Sequence, residues 1–262
     1  MARLYNNDMK KLLATTFVAL LMVGCGGPDD EENSFGWSDA NKPASTGVLD
    51  LDDNETRNRI AAEAIDSGKL QKKGEEGDQL YYAPNQQTAY TGWAKSMHDN
   101  GQVQNLAQFK DGRRDGLLTA WHEDGHKMVE GNYKDGKEDG LWTNWYENRQ
   151  KGGEGNFKDG KPNGLGTFWY ENGQKAGEGN FKDGKPNGLA MRWYENGQKH
   201  SETNFKDGES LALIWTAFVW KPNGEKCPVT NLVNGNGVVV EYKEDGTEKR
   251  RETIKDGERV RD

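Results

Sequence analysis

Between residues 115 and 208, aromatic and apolar positions alternate with polar ones at period two, in runs of about ten residues cut by Gly, Asn and Asp clusters. Such runs predict short strands joined by tight turns. The pattern then returns every 24 residues: Phe109, Tyr133, Phe157, Phe181 and Phe205 each precede Lys-Asp-Gly, while Trp121, Trp145, Trp169 and Trp193 hold a second fixed phase. A strict period of this length marks a repeat array, in which each unit buries its surface against its neighbours.

Each unit reads as a β-hairpin with tips at Glu-Asn-Gly (Glu171–Gly173, Glu195–Gly197) and Lys-Asp-Gly (Lys158–Gly160, Lys182–Gly184). Two turn geometries compete at the first tip. A two-residue Asn-Gly turn sets Leu165 and Trp169 on the same face as Glu178 and Asn180. A three-residue Glu-Asn-Gly loop pairs Tyr170 with Gln174 and sets Leu165, Thr167 and Trp169 beside Gly177, Gly179 and Phe181. The second sorts apolar columns from glutamates, so it is the preferred reading. It predicts a structural core of Leu117, Leu141, Leu165, Leu189, Trp121, Trp145, Trp169, Trp193, Phe157, Phe181 and Phe205. Arg149 replaces the turn glycine in one unit, where a positive φ costs a non-glycine residue roughly 1 kcal/mol.

The run Gly-x-Leu-x-x-x-Trp-Tyr-Glu-Asn-Gly-Gln-Lys followed by Asn-Phe-Lys-Asp-Gly-Lys resembles the variant form of the MORN repeat. Bacterial chains of such repeats are often named YwqK family antitoxins of toxin-antitoxin systems. The resemblance implies an all-β fold: an elongated single-layer antiparallel sheet of tandem 24-residue hairpins, with a short helix ahead of it. It is specific for the fold, says little about function and names no partner. The antitoxin label would imply a cytosolic partner, and the N-terminus argues for another compartment.

Met9-Lys10-Lys11, the 12-residue apolar run Leu12 to Val23 and then Gly24-Cys25 form a secretory signal ending in a lipobox, too short for a membrane span. Residues 1–24 are therefore read as a lipoprotein signal peptide and Cys25 as the lipidation site, giving a protein of the cell envelope held to a membrane by acyl chains. Resemblance to sorted lipoproteins implies the outer membrane in a Gram-negative cell, since Gly26 is not Asp. Residues 25–52, acidic and without apolar period, read as a flexible tether. Residues 53–78 hold the one helical pattern: Asn54 as cap, then Ile60, Ala61, Ala64 and Ile65, ended by Gly68. The array occupies 79–208. In 209–262, an apolar stretch from Leu211 to Trp220 and a three-residue insertion precede degenerate motifs, which read as terminal repeats closing the sheet edge.

Hydrophobic residues make up 32% of the chain, too few for a deep core, and 34 glycines serve turns and close packing. The net charge is −8. Loss of residues 1–24, which carry Arg3, Lys10, Lys11 and Asp8 for a net of +2, leaves about −10, a balance unfavourable for nucleic acid. With Cys25 acylated, Cys227 has no partner for an intramolecular disulfide. His98, His122, His126 and His200 read as incidental surface residues, and the Asp-Gly turns lack the alternating carboxylates of a calcium loop. No phosphate loop, zinc motif or nucleophile elbow appears, so neither an enzyme, a metal, a cofactor nor a small-molecule substrate is expected.

The candidate binding face is the one opposite the tryptophans: a column of Tyr146, Tyr170 and Tyr194 beside the ladder Glu130, Glu154, Glu178 and Glu202. As a solvated face, its glutamates would pair with Lys134, Lys158 and Lys182. As a docking strip, its aromatics would anchor an unidentified protein partner. As a third reading, they would stack cell-wall glycan.

Overall fold

The computed structural model describes residues 50–75, 78–206 and 213–260. The signal peptide, Cys25 and the tether up to residue 49 lie outside the described residues. Residues 50–53 form a bend in which Asp52 N–H donates to the Asp50 carboxylate at 3.0 Å.

From residue 54 the described residues form one α-helix, a short 3-10 turn (Ser67–Lys69) and strands. Helix α1 (Asn54–Glu63) leads into the two-residue strand β1 (Ile65–Asp66), then a small hairpin of β2 (Gln71–Lys73) and β3 (Leu80–Tyr82). The array follows as β4 (Gly92–Met97), β5 (Val103–Lys110), β6 (Arg113–Trp121), β7 (Lys127–Lys134), β8 (Lys137–Trp145), β9 (Lys151–Lys158), β10 (Lys161–Trp169), β11 (Lys175–Lys182), β12 (Lys185–Trp193), β13 (Lys199–Lys206) and β14 (Leu213–Val219). These pair in chain order into an open twelve-stranded sheet whose first strand is β1. The all-β expectation is met, with one departure: β1 runs parallel to β4, so the sheet is mixed rather than wholly antiparallel.

The chain ends in a separate three-stranded sheet of β15 (Gly237–Tyr242), β16 (Glu248–Lys255) and β17 (Glu258–Arg259). The outer edge of β14 is met by backbone groups: Ile214 N–H donates to Gly257 O at 2.9 Å, Gly235 N–H to Trp215 O at 2.8 Å and Cys227 N–H to Val219 O at 2.7 Å. Here true core clusters form, one of Ala217, Leu232 and Ile254 and another of Val219, Cys227 and Val240.

The hairpin tips follow the sequence. Asp111, Asp135, Asp159 and Asp183 take positive φ with the glycine after each, giving two-residue turns of the type that matches strand twist. At the other tip, Tyr170 N–H donates to Gln174 O at 2.8 Å and Gly173 N–H to Tyr170 O at 2.9 Å, with Gly173 at φ +80. The three-residue Glu-Asn-Gly loop is therefore correct, and Arg149 does take the left-handed conformation, at φ +71.

The faces drawn from that loop are not. Trp169 pairs with Lys175, but Phe168 pairs with Gly177, which leaves Ala176 as an extra residue. A bulge of this kind slips the register by one and turns every later side chain to the other face. The same shift recurs beside Trp121, Trp145 and Trp193. Leu165 therefore lies opposite Asn180 and Thr167 opposite Glu178, while Gly166 and Phe168 meet Gly179 and Gly177. One face carries Leu, Thr, Trp, Glu and Lys; the other carries glycines under aromatic rings.

On the glycine face, Trp142 lies over Gly131, and Phe168 comes within 3.2 Å of where a Cβ on Gly153 would sit. Tyr133, Trp142 and Phe157 continue edge to face at 5.1 and 6.2 Å between centroids, and Tyr133, Trp142 and Phe181 are buried. Large rings over glycines form the core as the sequence implies, with Trp142 and Phe168 in the places expected of Trp169 and Leu165.

Of the predicted core, Trp121 and Phe181 are buried, and Leu117, Trp145, Trp169, Trp193, Phe157 and Phe205 are half-buried. Leu141, Leu165 and Leu189 are the correction, being 52, 51 and 44% exposed. Two features put them outside. The bulge beside the tryptophan moves them to the charged face, and a second one, where three residues from Asn163 to Leu165 oppose Asn156 alone, interrupts their pairing with the preceding strand. Gly164, at φ +105, makes that interruption possible.

A candidate docking face

The charged face is built from one transect across the strands. Opposed residues on β6 to β14 run Thr119, Glu130, Thr143, Glu154, Thr167, Glu178, Met191, Glu202 and Phe218. Each glutamate takes a lysine three residues earlier: Lys127 to Glu130 at 2.8 Å, Lys151 to Glu154 at 2.6 Å, Lys175 to Glu178 at 2.7 Å and Lys199 to Glu202 at 3.2 Å. The same lysines lie over the tryptophan of the next unit, with Nζ 5.5 Å from Trp145, 5.8 Å from Trp169, 5.4 Å from Trp193 and 4.9 Å from Trp220. The glutamate ladder thus shares a face with the tryptophans, and its partners are these lysines, not Lys134, Lys158 and Lys182. The Lys-x-x-Glu spacing carried that signal. Because two of the residues flank the bulge, counting at period two missed it.

The tyrosine column is structural. Tyr146 OH donates to Trp169 O, Tyr170 OH to Trp193 O and Tyr194 OH to Trp220 O, each at 2.8 Å. In earlier units histidine takes the same place, with His98 Nε2 2.9 Å from Trp121 O and His122 Nε2 3.1 Å from Trp145 O. The turn asparagines repeat the device two residues outward, Asn148 to Glu171 O at 2.6 Å and Asn172 to Glu195 O at 3.0 Å. Every tip is latched to the next. His98 and His122 are therefore latches rather than incidental surface residues, and Tyr146, Tyr170 and Tyr194 give their hydroxyls to backbone. Burial raises the Tyr146 and Tyr194 phenols above their ordinary value, so they stay protonated donors.

His200 departs furthest from expectation. It is the bulge residue of its unit, packed against the Tyr194 ring at 4.6 Å. Burial, helped by Arg192 and Lys249, pushes its pKa down to about 3. Cys227 is buried, its Sγ 3.1 Å from Tyr242 OH and accepting from Thr230 N–H at 3.4 Å. Burial pushes the thiol up, but the hydrogen bonds from Thr230 and Tyr242 outweigh it and hold the pKa below the ordinary value, while the contact with Cys227 and burial push Tyr242 up to about 12.

What remains open is a strip. Leu141, Leu165 and Leu189 stand on β8, β10 and β12, two strands apart, roughly 10 Å from one to the next. They are flanked on the Lys-Asp-Gly side by lysines facing each other across the turns: Lys134 with Lys137, Lys158 with Lys161 and Lys182 with Lys185. Like charges directly opposite one another are destabilising. These regularly spaced exposed leucines beside a basic border are the candidate contact surface of this face.

Family comparisons agree with this architecture. The MORN repeat matches residues 154–175, and the MORN repeat variant matches residues 114–135 and 186–207. These three stretches of the array are similar to MORN repeats. No curated protein matches it. Among solved structures, this chain has a partial likeness to S. aureus TarM in complex with Fondaparinux, alpha-GlcNAc-glycerol and UDP, at 8% identity and a TM-score of 0.24 over 51% of this chain and 24% of that one. It has another to a GtfA/B complex bound to UDP and GlcNAc, at 10% identity and a TM-score of 0.18 over 50% of this chain and 23% of that one. The chain spans about a quarter of the length of either.

Proposed function

We propose that this protein is a lipid-anchored scaffold of the cell envelope, tethered through Cys25, whose MORN repeats present the leucine strip to a protein partner. It performs no catalysis; its product is a held complex. MORN repeats are commonly modules that bind proteins or membranes, which supports the coarse reading. The observation that carries the finer one is the exposure of Leu141, Leu165 and Leu189 at a fixed pitch, where a repeat built only for stability would place polar residues. The glycan reading has less support, because the tyrosines it relied on serve as latches and lysines lie over the tryptophan rings.

Two measurements test this. A photo-reactive residue at position 165 should crosslink a protein in intact envelopes, and the adduct should vanish when Leu141 and Leu189 are both changed to Ser; an adduct indifferent to those changes overturns the strip. Palmitate-analogue labelling should tag the wild type and not Cys25→Ser; an unlabelled cytosolic wild type overturns the anchoring and favours the antitoxin reading implied by resemblance.

A further inference from the structure

The fold already holds one occupant on the charged face. Helix α1 crosses β4 to β6 there: Arg57 lies over Trp121 at 5.0 Å, in the manner of the lysines over later tryptophans, and Lys95 Nζ donates to Ala61 O. Under this end, Leu106, Thr119 and Trp121 are 0, 0 and 1% exposed. Farther along, the tryptophan and leucine columns continue, yet no described element lies over the leucines. The N-terminal end of α1, carrying Arg57, lies toward β6, at the level of the tryptophans rather than of the leucines.

Resting on the docking reading above, we propose that the partner segment is an acidic amphipathic α-helix laid across the strands on the same face as α1. Its apolar residues, at seven-residue spacing, seat on Leu141, Leu165 and Leu189. Its acidic flank meets the paired lysines at the Asp-Gly turns.

Three observations converge on a helix of this kind. Seven residues of helix advance about 10.5 Å and two strands about 9.6 Å, so heptad positions stay near successive leucines over three contacts, with a drift of roughly 2 Å that a small tilt absorbs. An extended peptide presents same-face side chains about every 6.7 Å and misses the middle leucine by roughly 3 Å, so it seats at most two of the three. The basic border supplies the charge preference. Lys134, Lys137, Lys158 and Lys161 are exposed and set opposite one another in pairs, an arrangement that a partner's carboxylates relieve. Finally, α1 demonstrates that a helix packs on this face of this sheet.

The test uses the full chain and three synthetic helical peptides of about 21 residues, or three heptads, fluorescently labelled. One has leucine at heptad spacing with glutamate flanks, one has the same spacing with lysine flanks, and one has the first composition with the leucines off the heptad. The acidic heptad peptide should bind at least about tenfold more tightly than either control, and weaken as salt is raised. The combined changes Leu141→Ser, Leu165→Ser and Leu189→Ser should remove that binding, and Lys158→Glu with Lys161→Glu should erase the preference for acidic flanks, each with an unchanged circular dichroism spectrum. Equal binding of the lysine-flanked or off-heptad peptide overturns the proposal. So does a crosslink from position 165 into residues 1–49 of the same chain, which would make the occupant internal. If the envelope crosslink at 165 depends on the leucines but no peptide binds, the helix is wrong and the strip stands.

Discussion

The strict repeats and the C-terminal closure solve the same problem by different means. In the closure, Leu232, Val240 and Ile254 are 1, 0 and 2% exposed, and side chains from different elements interlock in small cores. In the repeats, units bury rings over glycines and join tip to tip by hydrogen bonds from Tyr, His and Asn to the backbone of the next unit. The first arrangement concentrates stability in a few side chains. The second distributes it over many equivalent joints, as nearest-neighbour coupling requires. Such a sheet can leave leucines outside because its stability does not depend on them.

The contrast can be broken by making the same substitution in both regions. Leu232→Ala should destabilise by about 2 to 5 kcal/mol in denaturant titration, as a buried leucine truncation does. Acid comes next. With its pKa in the folded chain depressed to about 3 from an ordinary 6.5, His200 is neutral when folded and binds a proton on unfolding, so its contribution is complete above about pH 6.5 and lost as pH falls toward 3. His200→Gln should flatten that part of the stability profile, and a wild type as stable at pH 4.5 as at pH 7.5 would refute the burial. Gly131→Ala should cost about 1 to 3 kcal/mol, because its Cβ would meet the Trp142 ring, which must shift. Tyr170→Phe removes one latch and should cost about 1 kcal/mol, with faster amide exchange at the tips of its own and the following unit. Leu165→Ala, chemically identical to the first change, should fall within about 0.5 kcal/mol of wild type.

The period, the strands and both turn types were legible in the sequence, because Phe-Lys-Asp-Gly and Trp-Tyr-Glu-Asn-Gly mark strand ends with residues that only certain turns accept. Even Arg149, which lacks the glycine expected at its tip, could be located. The faces were not legible. They depend on a bulge at Met128, Gly152, Ala176 and His200, four residues with no chemistry in common, because the bulge is demanded by sheet twist rather than by its own side chain. Missing one residue moved the leucines inward and set the glutamates opposite the tryptophans. The tyrosines invited a binding role for a related reason: the acceptors of their hydroxyls are main-chain carbonyls 23 or 26 residues away, which no side-chain pattern displays.

The tip-to-tip latch also bears on how such a chain can change over generations. Because each hydroxyl is answered by the following unit and not its own, duplication or loss of a whole 24-residue segment leaves no donor stranded. The last latch tolerates more, since Tyr194 still reaches Trp220 across a three-residue insertion. Array length is therefore a trait that inheritance can adjust one notch at a time, lengthening or shortening the leucine row to suit what lies on it while the fold stays the same.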